Sequence, residues 1–255
     1  MKRSVVILVS VILAALFTSL AEADAADFQS DQALFQEAVS AYGRGDYDAA
    51  IKGFEALTAD GVSASLLYDL GNSYAQAGQT GRAILNYERA LRLAPADPDI
   101  RANLEHIRKE KGLFQNEASF GQRFITYLSL NQWIGLAAVS FVLLVLLMLL
   151  PDSISLKRSL RYSLAAVCFL LTLTAVTGAF GQYQRWSDGV VVVSGARLRV
   201  SPFETAASVG IIQEGRLLQP EKSHNNFVLV TDETGRSGWL ERSAFELIAT
   251  PQASR

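Results

Sequence analysis

Nucleophilic, acid–base or metal chemistry in this 255-residue chain would have to start from very few residues. There is one cysteine, Cys168, and there are two histidines, His106 and His224, distant from each other in sequence. Cys168 lies in the middle of an apolar run, and a lone cysteine allows neither a disulfide within the chain nor a Cys-rich metal site. His224 precedes Asn225-Asn226 and reads as part of a polar loop. Asp97 and Asp99 flank Pro98 between two helical stretches, where capping explains them. Asp232 and Glu233 fall in an expected hairpin turn beside Gly235, as solvated turn residues. No GxxxxGK[ST] loop and no Ser/His/Asp or Cys/His constellation occurs. The sequence therefore reads as that of a protein without catalytic residues, cofactor or metal.

Composition narrows the partners. A net charge of −2, from 23 basic and 25 acidic residues, provides no phosphate-neutralising footprint, which argues against nucleic acid. Half of the residues are hydrophobic and only 19% are charged. That surplus is concentrated in three runs and points to segments facing lipid.

The first run follows Lys2-Arg3, extends from Val5 to Phe17 and leads to Ala21-Glu22-Ala23. A basic start, an apolar centre and a small-x-small site define a secretory signal over 1–23. An uncleaved anchor helix is the alternative, and both place the residues after 24 outside the cytoplasm. The second run, Trp133 to Leu150, and the third, Tyr162 to Phe180, hold 18 and 19 residues without a charge. At about 1.5 Å per residue each is long enough for the hydrocarbon core, so transmembrane helices are expected over 131–150 and 161–181. The loop 151–160 between them, with the adjoining Arg161, carries Lys157 and Arg158 against Asp152 and belongs in the cytoplasm. Residues 24–130 and 182–255 then share the extracytoplasmic, periplasmic face of an inner membrane. The segment 114–130, with Phe120, Phe124, Tyr127 and Leu128 at helical spacing, fits either the membrane interface or the helical domain.

Residues 28–113 read as helices with an internal period of 33: Gly45, Ala50, Phe54 and Leu57 recur as Gly78, Ala83, Tyr87 and Ala90. The second copy, with Leu67, Leu70-Gly71, Tyr74, Ala83, Tyr87, Ala90 and Pro95, resembles the tetratricopeptide repeat (TPR). The first is degenerate, with Ala38 and Ala41 at the Gly71 and Tyr74 positions. The expected all-α unit is two repeats plus a capping helix after Pro95. The resemblance implies a peptide-binding concave face lined by Phe35, Val39, Tyr68, Asn72, Gln76 and Asn103. Of a Lys/Asn carboxylate clamp only Asn72 is present, so that clamp is not expected. Tyr68 and Asn72 fit ordinary packing as well as binding.

Residue usage changes at Val190 to short strands: Val190–Val193, Arg197–Val200, Gly210–Gln213, Leu217–Gln219, Phe227–Thr231 and Ser237–Leu240. A small barrel over 187–250 is expected. Leu198-Arg199-Val200-Ser201-Pro202, Glu214-Gly215 and Gly235-Arg236-Ser237-Gly238-Trp239-Leu240 resemble bacterial SH3-like domains. Trp239 is then either a packing residue at the barrel edge or a ligand surface. Some relatives bind cell-wall peptides, which makes peptidoglycan an alternative ligand.

Taken in order, signal, repeats, two spans and SH3-like module resemble the BatE proteins of bacterial aerotolerance (Bat) operons. Asn103-Leu104-Glu105, Leu128-Ser129-Leu130-Asn131-Gln132-Trp133 and Phe245-Glu246-Leu247-Ile248 carry that resemblance. It implies a membrane-anchored scaffold acting in oxidative-stress tolerance or envelope protein assembly. Its partners would be membrane proteins with von Willebrand A domains and, indirectly, a MoxR-type AAA ATPase.

Overall fold

The structure is a computed structural model that describes residues 30–59, 61–114, 120–149, 158–184 and 187–249. The signal segment 1–23 and residues 151–157 of the expected cytoplasmic loop lie outside the described residues, as do 115–119 of the juxtamembrane segment. The chain divides into two compact units, the first ending at Val62 and the second beginning at Ser63.

Among the described residues the first unit holds two helices, α1 over residues 30–43 and α2 from Tyr47–Leu57. Asp46 caps α2 by accepting a hydrogen bond from Ala49 N at 3.1 Å. The helices approach closely where Gly53 meets Ala38; a Cβ on Gly53 would lie 2.8 Å from that of Ala38. Phe54 is buried, and the Phe35 ring packs edge-on against it at 5.7 Å.

In the second unit α3 (Ala64–Gln76), α4 (Thr80–Leu93) and α5 (Pro98–Glu110) form a helical layer. Ser63 and Asp97 cap α3 and α5, which accounts for the aspartate pair around Pro98. Leu67, Leu70, Tyr74, Ala83, Ile84, Tyr87 and Ala90 are all buried, so the repeat signature is the packing surface between α3 and α4. A Cβ at Gly71 would come within 2.8 Å of the Tyr87 ring. Arg108 pairs with Glu88 at 2.7 Å, fixing α5 to α4.

A six-residue helix, α6 (Phe120–Ile125), precedes two helices long and apolar enough to cross a membrane, α7 (Leu130–Leu149) and α8 (Arg158–Gln184). The long helices pack antiparallel. At one end Arg161 donates to the carbonyls of Leu147 and Met148, each at 2.7 Å. In the middle the Ser140 and Thr172 hydroxyls are 2.9 Å apart. At the other end the Trp133 ring lies over Gly178. Trp133 Nε1 and Gln182 Nε2 both donate to Ile125 O, at 3.0 and 2.9 Å. That contact holds α6 against the end of α8, a placement that the spacing of its aromatic residues did not indicate.

Seven antiparallel strands follow: β1 (Gly189–Val191), β2 (Ala196–Arg199), β3 (Ser208–Ile212), β4 (Leu217–His224), β5 (Phe227–Asp232), β6 (Ser237–Glu241) and β7 (Phe245–Leu247). Their order in the sheet is β3-β2-β6-β5-β4-β1-β7. One face carries the core, with Val191, Leu198, Ile212, Leu218, Val228, Val230, Leu240 and Phe245 buried together.

Three sequence expectations need correction. The sheet is open rather than a closed barrel: β3 and β7 stand at opposite edges, and the end of β7 is engaged by a helix instead of a strand, as described below. His224 is the last residue of β4, not a loop residue; a bulge between Pro220 and Lys222 carries that strand past a proline. Asp232 is buried, not solvated. Its Oδ1 accepts from Thr234 N, Thr234 Oγ1 and Arg236 N, and its Oδ2 from Arg236 Nε at 2.8 Å. Burial alone would raise its pKa, but these hydrogen bonds outweigh it and hold the carboxyl below the usual aspartate value.

A depressed carboxylate pKa stabilises the fold above the unfolded-state pKa and ceases to do so as pH falls through the folded-state value. Unfolding followed by the β-sheet signal should therefore be insensitive to Asp232 titration at neutral pH and show its loss below about pH 4. Asp232→Asn should cost about 1–2 kcal/mol at neutral pH and flatten that acid limb, because Arg236 is partly exposed and its bonds are worth the lower end of the charged range. Equal stability of the two proteins at pH 7 would contradict this assignment.

Candidate functional site

On α3 the buried stripe consists of Leu66, Leu67, Leu70, Gly71, Ser73 and Tyr74. Helical periodicity leaves Tyr68, Asp69, Asn72 and Gln76 on the complementary face. Tyr68, Asp69 and Asn72 are half-buried and Gln76 is exposed. Asn72 Oδ1 accepts from Tyr87 Oη at 2.7 Å and from Asn103 Nδ2 at 2.9 Å. Asn103 Nδ2 also donates to Tyr68 Oη at 2.9 Å, and the Tyr68 and Tyr87 rings lie 6.0 Å apart. Three of the residues expected to line one face, Tyr68, Asn72 and Asn103, are thus joined in one network, with Tyr87 beneath it.

This network consumes the Asn72 carbonyl oxygen and leaves its Nδ2 donor, together with the Asn103 Oδ1 acceptor, without a partner among the described residues. An amide donor and an amide acceptor side by side can serve the C=O and N–H of an extended peptide. Asp69, absent from the sequence expectation, shares the face, and burial raises its carboxyl pKa. Its place three residues before Asn72, one helical turn away, is the sequence signal that could have found it. Phe35 and Val39 lie on α1 in the first unit, where Phe35 packs on Phe54 and Val39 is exposed.

A second constellation escaped sequence reasoning. The turn between β3 and β4 docks on the helices. Glu214 Oε1 accepts from Gly81 N at 2.7 Å. The α4 N-cap position, Gln79, makes no side-chain capping bond, so a carboxylate from the sheet performs that role and meets the positive end of the helix. Ser194 Oγ holds the other oxygen of Glu214. Gly215, at φ +85°, leaves room for Ile84 and Leu113, which a Cβ would approach to 2.6 and 2.8 Å. Gln213 Nε2 donates to Lys111 O at 2.8 Å. Farther along α4, Arg89 donates to Leu247 O at 2.8 Å and Ile248 O at 3.3 Å beside Glu246. Burial lowers the Arg89 pKa and Glu246 partly restores it.

Trp239 lies on β6, opposite Arg199 and Leu229. Its ring is 6.4 Å from that of His224, which is 6.2 Å from Phe203. Phe203 is 56% exposed, so these rings form an accessible aromatic row. His106 is exposed on α5 and Cys168 half-buried in α8.

Residues 71–112 match the family model for the TPR repeat, a stretch that runs through α3, α4 and α5 and contains Asn72, Gln76 and Asn103. No curated protein matches the chain.

Proposed function

We propose that this chain is a membrane-anchored, non-catalytic adaptor that binds an extended segment of a partner protein along the α3–α5 face. The observation that carries this reading is the TPR match over 71–112, coinciding with the open amide groups of Asn72 and Asn103. TPR repeats suggest a role in protein–protein interaction, and solenoid repeats of this type present an extended binding surface.

Anchoring by α7 and α8 is supported by their outward side chains: Phe141, Leu146, Leu170 and Leu173 are each more than half exposed, as lipid-facing residues would be. An antiparallel pair returns the chain to the side it left. The bonds from Glu214 and Arg89 join the helical layer to the sheet, and that joining requires both on one side. The basic termini of the apolar runs, Lys2-Arg3 and Lys157-Arg158-Arg161, favour the extracytoplasmic side of a bacterial inner membrane. In the BatE-like form of this proposal the partners are membrane proteins with von Willebrand A domains, coupled to a MoxR-type ATPase, in aerotolerance or envelope protein assembly.

Asn72→Ala with Gln76→Ala, in the full chain purified from native membranes, should weaken recovery of a co-purifying partner by about tenfold, the loss expected for one to two hydrogen bonds. Helical circular dichroism should be unchanged. A full partner band from the folded double variant would remove the groove from the proposal.

The row Phe203, His224 and Trp239 favours a second reading, in which the sheet binds peptidoglycan and the repeat recruits a wall-modifying partner. Sedimentation of the chain with purified peptidoglycan, lost on Trp239→Ala, would support this second reading over the first.

A further inference from the structure

The helices that build the α3–α5 face carry their charges unevenly. α3 reads ASLLYDLGNSYAQ, without a lysine or an arginine, and Asp69 is its one charged residue. Around the helix Tyr68, Asn72, Gln76 and Asp69 follow one another over about 100°. Asn72 therefore stands between Asp69 and Tyr68, and Asn103 of α5 bonds both Tyr68 and Asn72.

On α5 the buried stripe of Ile100, Leu104 and Ile107 divides the remaining residues. Asp99, His106 and Glu110 lie on the same side as Asn103, the side that meets α3. Arg101 and Arg108 lie on the other side, where Arg101 donates to Pro95 O at 2.6 Å and Arg108 pairs with Glu88. Lys109 faces away from the stripe. Lys111, just beyond the helix, pairs with Glu110 at 2.8 Å. The face thus sets Asp69 and the exposed Asp99 beside open amides, with no lysine or arginine of α3 or α5 among them.

Asp69 is half-buried, and its carboxylate has neither a hydrogen-bond nor an ion-pair partner among the described residues. Burial raises its pKa, and no nearby cation lowers it. A carboxylate drawn partly out of water without a partner bears a desolvation cost that a cation from outside would offset. We infer that the segment bound along this face is basic: a lysine or arginine of the partner pairs with Asp69 while Asn72 and Asn103 hold its main chain. This chemistry deepens the groove reading and depends on it. It is the reverse of a Lys/Asn clamp, which selects a carboxylate. Residues three apart on a helix have Cβ atoms about 5–6 Å apart, and an extended chain advances about 3.3–3.6 Å per residue. The cation therefore belongs within two residues of the main-chain groups that the asparagines engage.

Randomised linear heptapeptides displayed on phage, selected on the full chain in phosphatidylcholine nanodiscs, test this. The net-neutral lipid keeps basic peptides from collecting on the bilayer. The recovered peptides should share a lysine or arginine at one position. A synthetic copy should bind about fivefold more weakly to Asp69→Asn, the upper end for a partly exposed ion pair. Asp69→Lys should instead select aspartate or glutamate at that position, with helical circular dichroism checking the fold of both variants. Peptides that Asn72→Ala with Gln76→Ala no longer recovers, but that share no cation or bind Asp69→Asn equally well, overturn the basic partner and leave the groove in place. Peptides whose recovery that double variant does not change, or none above empty nanodiscs, overturn the groove and the basic partner together.

Discussion

Gly81→Ala is expected to destabilise this protein, although the same change at a free helix position ordinarily stabilises by about 1 kcal/mol. The reversal follows from the docking of the sheet on α4. A Cβ at position 81 would stand 2.4 Å from Val191 O, 2.8 Å from Val192 Cα and 2.7 Å from Glu214 Cγ. Two of these are backbone atoms, which cannot rotate away. The Glu214 carboxylate that caps the α4 N-terminus would be displaced with them. Overpacking of this kind costs about 1–3 kcal/mol, occasionally more, and the lost cap adds about 1 kcal/mol. Hydrogen exchange on the detergent-solubilised full chain should show the amides of Gly81 and Gly215 losing protection while the α3–α4 contact keeps its own. A rise in melting temperature would mean that α4 carries no docked sheet.

What could be read from the sequence and what could not separates along physical lines. The second repeat was legible because helix crossing demands small and large residues at fixed offsets, and Gly71 beneath Tyr87 satisfies that demand. The first repeat was fainter because its close contact uses Gly53 of the second helix against Ala38 of the first, with the small residues redistributed. Strands β1 to β6 followed from alternation and turn residues. The short β7 follows directly on a 3-10 turn, Arg242–Ala244, with no room for a pattern of its own. The end of β4 was hidden behind Pro220, which a bulge accommodates.

Closure of the sheet is a tertiary property. It depends on which groups meet the end of β7, and Arg89, more than 150 residues away in sequence, takes that place. The same distance concealed the docking site, since Glu214-Gly215 reads as an ordinary turn and Arg89 as an ordinary helix-surface residue. One local clue existed: α4 begins without a capping side chain of its own. At the candidate groove, the residue types were legible from repeat spacing. The sharing of the Asn72 oxygen between Tyr87 and Asn103 depends on how α4 and α5 pack beside α3, which local spacing does not encode.

The central claim is that the helical layer and the sheet share the outer side of a membrane, held there by α7 and α8. A charged side chain at the bilayer centre costs about 2.5–3.5 kcal/mol on insertion scales; the runs Trp133 to Leu150 and Tyr162 to Phe180 contain none. In the proposed topology the basic residues between the runs, Lys157, Arg158 and Arg161, are the groups that keep the connection inside, with both ends of the pair outside. The most direct measurement is the activity of a reporter that works only outside the cytoplasm, fused in one set of cells after Arg255 and in another near Ser155. The account predicts full activity after Arg255 and none near Ser155. Activity near Ser155, or silence after Arg255 with the fusion present in the membrane, would contradict it.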